Sequence, residues 1–246
     1  MKTMTGTYDS AWKDKLLSWD GTAMTYDAIG NMLTRGGTTY TWTQGRRLSG
    51  VENGKSIKYL YDHTGARVKK TVDNTVTEYQ WAGDLLLSEK TDGRIIWYCY
   101  DSQANLISVT IREITYFYVR NVQGDIIALV DADGKVVVKY TYDSWGKVVA
   151  VTGELADTVG AQNPFRYKGY YYDNETGMYY LKSRYYDAEI KRFICADVGI
   201  TSIIKDTKGN NLFCYCFNNP LNMKDMSVNW PKWIRNFGKT VKNTIK

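Results

Sequence analysis

Short runs rich in β-branched and aromatic residues alternate with turn residues along most of this chain. Examples are RVKKTV at 67–72, IIALVD at 126–131 and KVVVKYTY at 135–142. Runs of this length and composition are typical of β-strands. DADG at 131–134 separates two of them and is typical of a hairpin turn, since the twelve-residue ligand pattern of a calcium loop is absent. The pattern predicts many short antiparallel strands.

A turn motif, Y-D-x-x-G, recurs between these strands. The sequence contains three complete copies, one copy without its glycine and three intervening half-repeats: YDAIG (26–30), YDHTG (61–65), YDSWG (142–146), YDSQA (100–104), YTWTQGRRL (40–48), YQWAGDLLL (79–87) and YVRNVQGDI (118–126). We expect the aspartate to accept hydrogen bonds from amides just ahead, and the glycine to supply the backbone angles of the exit. A single hairpin cannot bury its own apolar face, so stacked copies predict an all-β, spiralling antiparallel sheet.

Tyrosine is unusually frequent, with 21 copies, and is densest in RYKGYYYDNETGMYYLKSRYYDAEIKRFICAD at 166–197. Its ring packs well on strands while its hydroxyl keeps a polar partner. We therefore interpret this run as a structural set of cross-strand ladders rather than as a catalytic phenol.

The net charge of +6 is mild, which argues against a general nucleic-acid surface. Five of the positive charges lie between residues 230 and 246, within the tail NWPKWIRNFGKTVKNTIK at 229–246. The spacing of its apolar residues predicts a basic amphipathic helix, which either packs on the rest of the protein or binds an anionic membrane surface.

The candidate chemistry is sparse. The four cysteines form no C-x-x-C pair and the chain has a single histidine, so we expect no metal site and no cofactor. The motifs of serine hydrolases, nucleotide-binding loops and dinucleotide-binding folds are missing. The N-terminus lacks the apolar stretch of a signal peptide, and we expect this chain either to have no leader or to be a piece of a longer protein.

The repeats lead into NPFRYKGYYYDNETGMYYLKSRYYDAEIKRFICAD and then into CYCFNNP. This combination resembles the YD-repeat proteins of the RHS family, most closely the wall-associated type of Gram-positive bacteria. The resemblance divides the chain into YD repeats (1–162), an RHS repeat-associated core (163–228) and the tail (229–246). It implies a hollow β-shell that encloses a C-terminal polypeptide, often a toxin, in proteins that are secreted or attached to the cell surface.

The RHS core is similar to an aspartyl autoprotease that releases the C-terminal cargo. The resemblance places the two catalytic aspartates at Asp197 and Asp225, with Arg184 and Arg192 nearby. Two adjacent carboxylates suit this chemistry, because their mutual repulsion leaves one ionised and the other protonated. The sequence departs from the family's D-P-x-G motif, since Val198 follows the first aspartate and Met226 the second. The enzymatic assignment therefore extends at most to a degenerate self-cleaving protease, with cleavage near residue 228.

Two functions follow from these observations. The first is a shell and core fragment of an RHS-type polymorphic toxin protein, whose partners are the remainder of the shell and a C-terminal cargo. The alternative is a module that binds cell-wall polysaccharide through exposed aromatic rings and has no catalytic activity.

Overall fold

A computed structural model describes residues 4–197 and 211–223 of the chain. Its main feature is a sixteen-stranded antiparallel sheet in which every strand pairs with its neighbours in sequence. We refer to it as the large sheet. Its strands are β1 (Gly6–Tyr8), β2 (Leu16–Trp19), β3 (Thr22–Tyr26), β4 (Met32–Arg35), β5 (Thr38–Thr43), β6 (Arg47–Glu52), β7 (Ser56–Tyr61), β8 (Arg67–Val72), β9 (Thr75–Ala82), β10 (Leu85–Thr91), β11 (Arg94–Tyr100), β12 (Leu106–Ile111), β13 (Ile114–Arg120), β14 (Ile126–Val130), β15 (Val136–Tyr142) and β16 (Val148–Thr152).

A smaller, four-stranded antiparallel sheet follows, which we call the core sheet. Its strands are β17 (Tyr171–Asp173), β18 (Met178–Leu181), β19 (Arg184–Asp187) and β20 (Arg192–Phe193). Short helical turns are present at Ala156–Gly160, Tyr167–Gly169 and Cys216–Asn218. The predicted all-β antiparallel architecture is confirmed, whereas the predicted helix at 229–246 lies outside the described residues. Within the described part of the chain, no helix has the length and apolar character needed to cross a membrane.

The Y-D-x-x-G motif forms the turns between strands as predicted. At Asp62, Oδ1 accepts hydrogen bonds from the amides of Thr64 and Ala66, at 2.8 and 3.0 Å. Gly65 takes a φ of +92°, which few side chains tolerate, and its amide donates to the Asp62 carbonyl. The same hydrogen bonds define the turns that begin at Asp27, Asp101, Asn121, Asp131 and Asp143. We call this set the aspartate turns.

Aromatic side chains connect successive hairpins of the large sheet. The Tyr100 hydroxyl, which precedes the turn at Asp101, donates to the Leu86 carbonyl on the adjoining strand at 2.9 Å. Four equivalent bonds, each from a hydroxyl or indole N–H to a main-chain carbonyl, span 2.7 to 2.8 Å: Trp42 to Met32, Tyr61 to Leu48, Trp81 to Arg67 and Tyr142 to Ile126. Each bond satisfies a strand carbonyl while the aromatic ring packs against the hydrophobic core.

The large sheet curves around the core sheet, and residues near its two ends contact the same two residues of the core segment, Glu189 and Lys191. The Lys191 ammonium lies 5.8 Å from the ring of Trp19 in β2 and 5.6 Å from the ring of Trp145 in the last aspartate turn. Glu189 pairs with Arg35 at 2.9 Å and with Lys147 at 3.6 Å. The buried core therefore lies between the concave face of the large sheet and the core sheet.

We expect Tyr100→Phe to lower the free energy of unfolding by about 1 kcal/mol, because the ring remains while the Leu86 carbonyl loses its donor. Urea unfolding of the purified chain measures this difference. Tyr116→Phe is the control: Tyr116 is a buried tyrosine of β13, and its hydroxyl makes no such carbonyl bond within the described residues. Equal stability of the two variants would contradict the structural role of the aromatic bonds.

Candidate functional site

The structure brings together two of the residues that the resemblance assigns to catalysis. Arg184 Nη2 lies 3.0 Å from Asp197 Oδ2, and both side chains are largely shielded from solvent. The guanidinium also covers the Phe193 ring, 3.6 Å from its centroid, which fixes the orientation of the arginine. The Asp197 amide donates to the Leu212 carbonyl at 2.8 Å. Asp197 is therefore held by a main-chain hydrogen bond to Leu212 and by an ion pair with Arg184.

The segment before Asp197 is anchored to the first hairpins of the large sheet. The Ala196 amide donates to the Gly30 carbonyl at 3.1 Å, and Arg46 Nη1 donates to the Ala196 carbonyl at 2.7 Å. An added Cβ at Gly30 would lie 2.9 Å from that of Ala196, so this approach requires glycine. The location of Asp197 thus depends on a repeat more than 150 residues away in sequence.

The other two predicted residues have different positions. Arg192 donates to the Asp14 carbonyl at 2.8 Å and to the Tyr8 hydroxyl at 3.3 Å, so its guanidinium is engaged with the N-terminal strands. Asp225 lies outside the described residues. Of the two predicted carboxylates, the described residues therefore contain Asp197.

A buried ion pair that was not predicted joins the core sheet to the large sheet. Arg67 Nη1 lies 2.5 Å from Asp173 Oδ2, with 1% and 0% of the two side chains exposed. Lys70 binds the other carboxylate oxygen at 3.1 Å and reaches Glu175 at 3.0 Å. Burial raises the pKa of Asp173, but the charges of Arg67 and Lys70 outweigh that effect and hold it below its ordinary value of 3.8.

Four tyrosine rings surround the Arg67 guanidinium, with ring centroids 4.5 to 5.2 Å from its central carbon: Tyr59, Tyr79, Tyr171 and Tyr180. Aromatic faces attract a cation and replace part of its lost hydration. All four rings belong to the hydrophobic core as well, so the charge is enclosed rather than exposed to a channel. This set, with Arg67 and Asp173, is called the arginine cage below.

Two further carboxylates of this interface are buried. Glu89 accepts hydrogen bonds from the hydroxyls of Tyr98 and Tyr171 at 2.9 and 2.5 Å, and burial raises its pKa above the ordinary 4.5. Asp187 pairs with Arg35, yet burial still raises its pKa above 3.8. A buried carboxylate needs such partners to remain in the fold.

Tyrosines of the run at 166–197 attach the core segment to the large sheet. Three hydroxyls of the core segment donate to successive carbonyls of the last aspartate turn: Tyr167 to Ser144, Tyr186 to Trp145 and Tyr179 to Gly146. An added Cβ at Gly146 would lie 2.4 Å from the Tyr167 ring, so this turn and the core segment are in direct contact. In residues 4–197 and 211–223, no group of three or more His, Cys, Asp or Glu side chains could hold a metal ion.

The sequence signals for these contacts were weak. Asp173 and Asp187 carry the same Tyr-Asp pair as the repeats, although their carboxylates also bind arginines of the large sheet. Arg67 stands among ordinary strand residues in RVKKTV, and nothing in that run identifies a buried cation. Its pairing with Asp173 spans 106 residues, which local patterns cannot reveal.

Comparisons with known proteins place this arrangement in context. Residues 2–222 match the family described as teneurin YD-shell. The chain is 36% identical over 224 residues to the tRNA3(Ser)-specific nuclease WapA of Bacillus spizizenii, covering 88% of this chain and 9% of that protein. It is 25% identical to the double-stranded DNA deaminase toxin A of Burkholderia cenocepacia, covering 83% of this chain and 17% of that protein.

Solved structures share the fold. The crystal structure of TcdB2-TccC3-TEV is similar with a TM-score of 0.69 at 18% identity, covering 92% of this chain and 13% of that one. The Tc holotoxin pore of Photorhabdus luminescens gives a TM-score of 0.64 at 17% identity, covering 91% and 13% respectively. The chain therefore spans about a tenth of the length of these proteins.

We expect Asp173→Asn to lower the free energy of unfolding by about 3–5 kcal/mol at neutral pH, because it leaves the buried Arg67 charge without its partner. Urea unfolding at a series of pH values measures the loss. The exposed pair of Lys135 and Glu154 provides the control, and Glu154→Gln should leave stability nearly unchanged.

The pH dependence of that loss has a defined sign. Since the pKa of Asp173 is lowered, its stabilisation is present above the ordinary value of 3.8 and is lost as the pH falls through the lowered pKa. The difference between wild type and Asp173→Asn should therefore shrink in acid. A difference that stays constant down to the acid limit of folding would contradict the ionic role of Asp173.

Proposed function

Because the chain belongs to the teneurin YD-shell family, we propose that it is the C-terminal shell and core fragment of an RHS-type polymorphic toxin protein, which encloses and presents a C-terminal cargo. The relatives named as a nuclease and as a deaminase toxin support a toxic polypeptide as that cargo. A secreted or cell-surface location of the parent protein belongs to the same proposal.

The observation that carries this proposal is the large sheet wound around the core segment and bound to it through buried charges. The arginine cage and the Arg35–Asp187 pair attach β17 and β19 to separate hairpins of the large sheet. Glu189 and Lys191 then contact both ends of that sheet. A large sheet that is bound in this way by the core segment suits a shell whose end is filled by part of its own chain.

The remainder of the shell is the expected partner at the first strand. Within the described residues, β1 pairs only with β2, so the other edge of β1 is available to a further strand. Exposed edges pair readily with additional chain. The small share of the relatives that this chain covers, 9% for the Bacillus spizizenii protein, agrees with a larger parent.

Autocleavage near residue 228 is the finer part of the proposal. Asp197, paired with Arg184, would take a proton from water as the water oxygen attacks the peptide carbonyl. Asp225 would act as the protonated partner and donate its proton to the leaving amine. Arg184 is then a positioning residue for Asp197, and Arg192 would reach the site only by giving up its contacts with Asp14 and Tyr8.

We expect a chain extended beyond residue 246 with its natural sequence to break near residue 228, and Asp197→Asn or Asp225→Asn to prevent the break. Intact-mass spectrometry locates the new terminus. Asp133→Asn, in an exposed aspartate turn, is the control and should cleave like the wild type. Intact product in every sample would refute autocleavage and leave the shell assignment standing.

A second function, binding of cell-wall polysaccharide, is favoured by one feature of the outer face. Trp97 in β11 and Phe117 in β13 are 49% and 41% exposed. Cys99 pairs with Ser108 on β12, and Ser108 pairs with Phe117 on β13, so Cys99 and Phe117 lie on the same face of the sheet. Trp97 lies two residues before Cys99 and therefore shares that face. Both rings point away from the core. Exposed rings on a sheet can stack on sugar rings.

We expect Trp97→Ala to abolish binding of the purified chain to isolated wall polysaccharide, measured by pull-down or glycan array. Ile114→Ala removes a comparably exposed apolar side chain, 56% exposed, and should leave binding unchanged. Absence of binding by the wild type would dismiss the carbohydrate function.

A further inference from the structure

A cavity of about 380 Å³ lies between the large sheet and the core segment, beside the turns that follow β9, β11 and β13. Trp81 and Tyr100 line it on the side of the large sheet, and Phe165, Tyr170 and Tyr180 line it on the side of the core segment. Pockets of this size, with walls that are largely apolar and aromatic, are typical of small-molecule sites. The cavity therefore has the dimensions and the lining to hold a small organic molecule.

The cavity adjoins a gap in the aromatic pattern of the large sheet. Arg120 follows a β-bulge in β13, at the register position that Tyr100 has in β11 and Tyr142 has in β15. Each of those tyrosines donates to a carbonyl of an earlier strand. In residues 4–197 and 211–223, no side chain donates to the equivalent carbonyl, that of Leu106. Arg120 and Leu106 both line the cavity, so a ring and a donor are missing from the pattern at this point.

The guanidinium of Arg120 is not used by the fold. It is half-buried, and it makes neither an ion pair nor a hydrogen bond with any residue that the structure describes. Hydrogen bonds from Asn105, and to a smaller extent the charge of Arg120, lower the pKa of Asp101, but that carboxylate is held by the amides of its own turn. Arg120 therefore retains its donors for a ligand.

The other charged groups of the lining have partners within the protein. Lys182 pairs with Asp84 at 2.8 Å, and Lys168 donates from Nζ to two main-chain carbonyls at 2.6 and 2.7 Å. With Arg120, the lining carries three cations and one carboxylate. A partly enclosed site of this charge favours an anion, and a carboxylate is the group that takes two parallel hydrogen bonds from a guanidinium.

We propose that the cavity binds a small aromatic carboxylate, whose ring packs between Tyr100 and Tyr170 and whose carboxylate pairs with Arg120. The ring of the ligand replaces the ring that the repeat lacks at Arg120. A hydroxyl group on that ring supplies the donor that the Leu106 carbonyl lacks. The ligand thus completes the aromatic pattern of the large sheet.

A bound ligand would strengthen the attachment of the core segment. Both the large sheet and the core segment line the cavity, so the ligand contacts both of them only in the folded protein. A molecule that binds the folded form alone raises the melting temperature in proportion to its occupancy. This inference does not depend on cargo enclosure or on self-cleavage.

The probe that tests the proposal is para-hydroxycinnamate, a planar molecule with one ring, one hydroxyl and one carboxylate. Its neutral counterpart, para-hydroxycinnamide, has nearly the same shape. Titration of the 246-residue chain, followed by saturation-transfer NMR, should give a Kd of about 1 mM or tighter for the carboxylate, as expected for a ligand of this size. The amide should bind about tenfold more weakly or less, because it lacks the charged hydrogen bonds to Arg120. The carboxylate should also raise the melting temperature more than the amide does.

Substitutions separate the charge from the space. Arg120→Gln should weaken binding of the carboxylate about tenfold or more and leave binding of the amide unchanged. Arg94→Gln, at an exposed position of β11 that does not line the cavity, is the control and should change neither. Gln103→Trp places a large ring at an exposed lining position and should weaken binding of both probes.

The melting temperature of each variant without probe shows whether it folds. If Arg120→Gln does not fold, Arg120→Lys replaces it; this variant keeps the charge without the planar fork and should weaken binding of the carboxylate by a smaller factor.

Four results would overturn the proposal: no binding of the carboxylate by the wild type, equal affinity for carboxylate and amide, unchanged affinity in the Arg120 variant, or unchanged affinity in Gln103→Trp. An equal loss of affinity in Arg94→Gln would also overturn it, since the probe would then respond to the general charge of the surface. None of these outcomes bears on the shell assignment, which the extended chain tests separately.

Discussion

The structure depends on aromatic side chains that bury a ring and at the same time donate a hydrogen bond to main-chain carbonyl oxygen. Within the large sheet, the bond from Tyr100 to Leu86 and its four equivalents connect five hairpins to the hairpins before them. The core segment uses the same chemistry when Tyr179 and Tyr186 bind the last aspartate turn. Phenylalanine would supply the ring without the donor, and serine the donor without the ring, whereas tyrosine and tryptophan supply both.

Buried charges add specificity to that packing. Hydrophobic contact between two sheets leaves their relative position loosely defined, whereas Arg67 can meet Asp173 in one register. The net stability from such a pair is small, because both groups lose their hydration, but a misplaced core sheet would leave each charge unpaired. We infer that the arginine cage selects the position of the core segment, and the surrounding tyrosines reduce the cost of enclosing the guanidinium.

The repeats could be predicted because their physics is local. In Y-D-x-x-G, the aspartate, the glycine and the amides they serve lie within five residues, and the structure contains the expected bonds at Asp62. Sequential pairing of the strands follows from the same short connections. The partners of Arg67 and Arg35 could not be predicted, since they lie more than 100 residues away. The resemblance named Asp197 and Arg184 for catalysis, and the structure pairs their side chains. Their catalytic role stays a prediction, as does that of Asp225, which lies outside the described residues.

The contacts of Glu189 and Lys191 with both ends of the large sheet bear on how the protein is made. The strands can pair in the order of synthesis, since each connection is short, and local contacts form quickly. The two ends, however, can be held together only after residues 189 and 191 have left the ribosome. The contacts that link these two ends therefore form last, after the strands between them have paired.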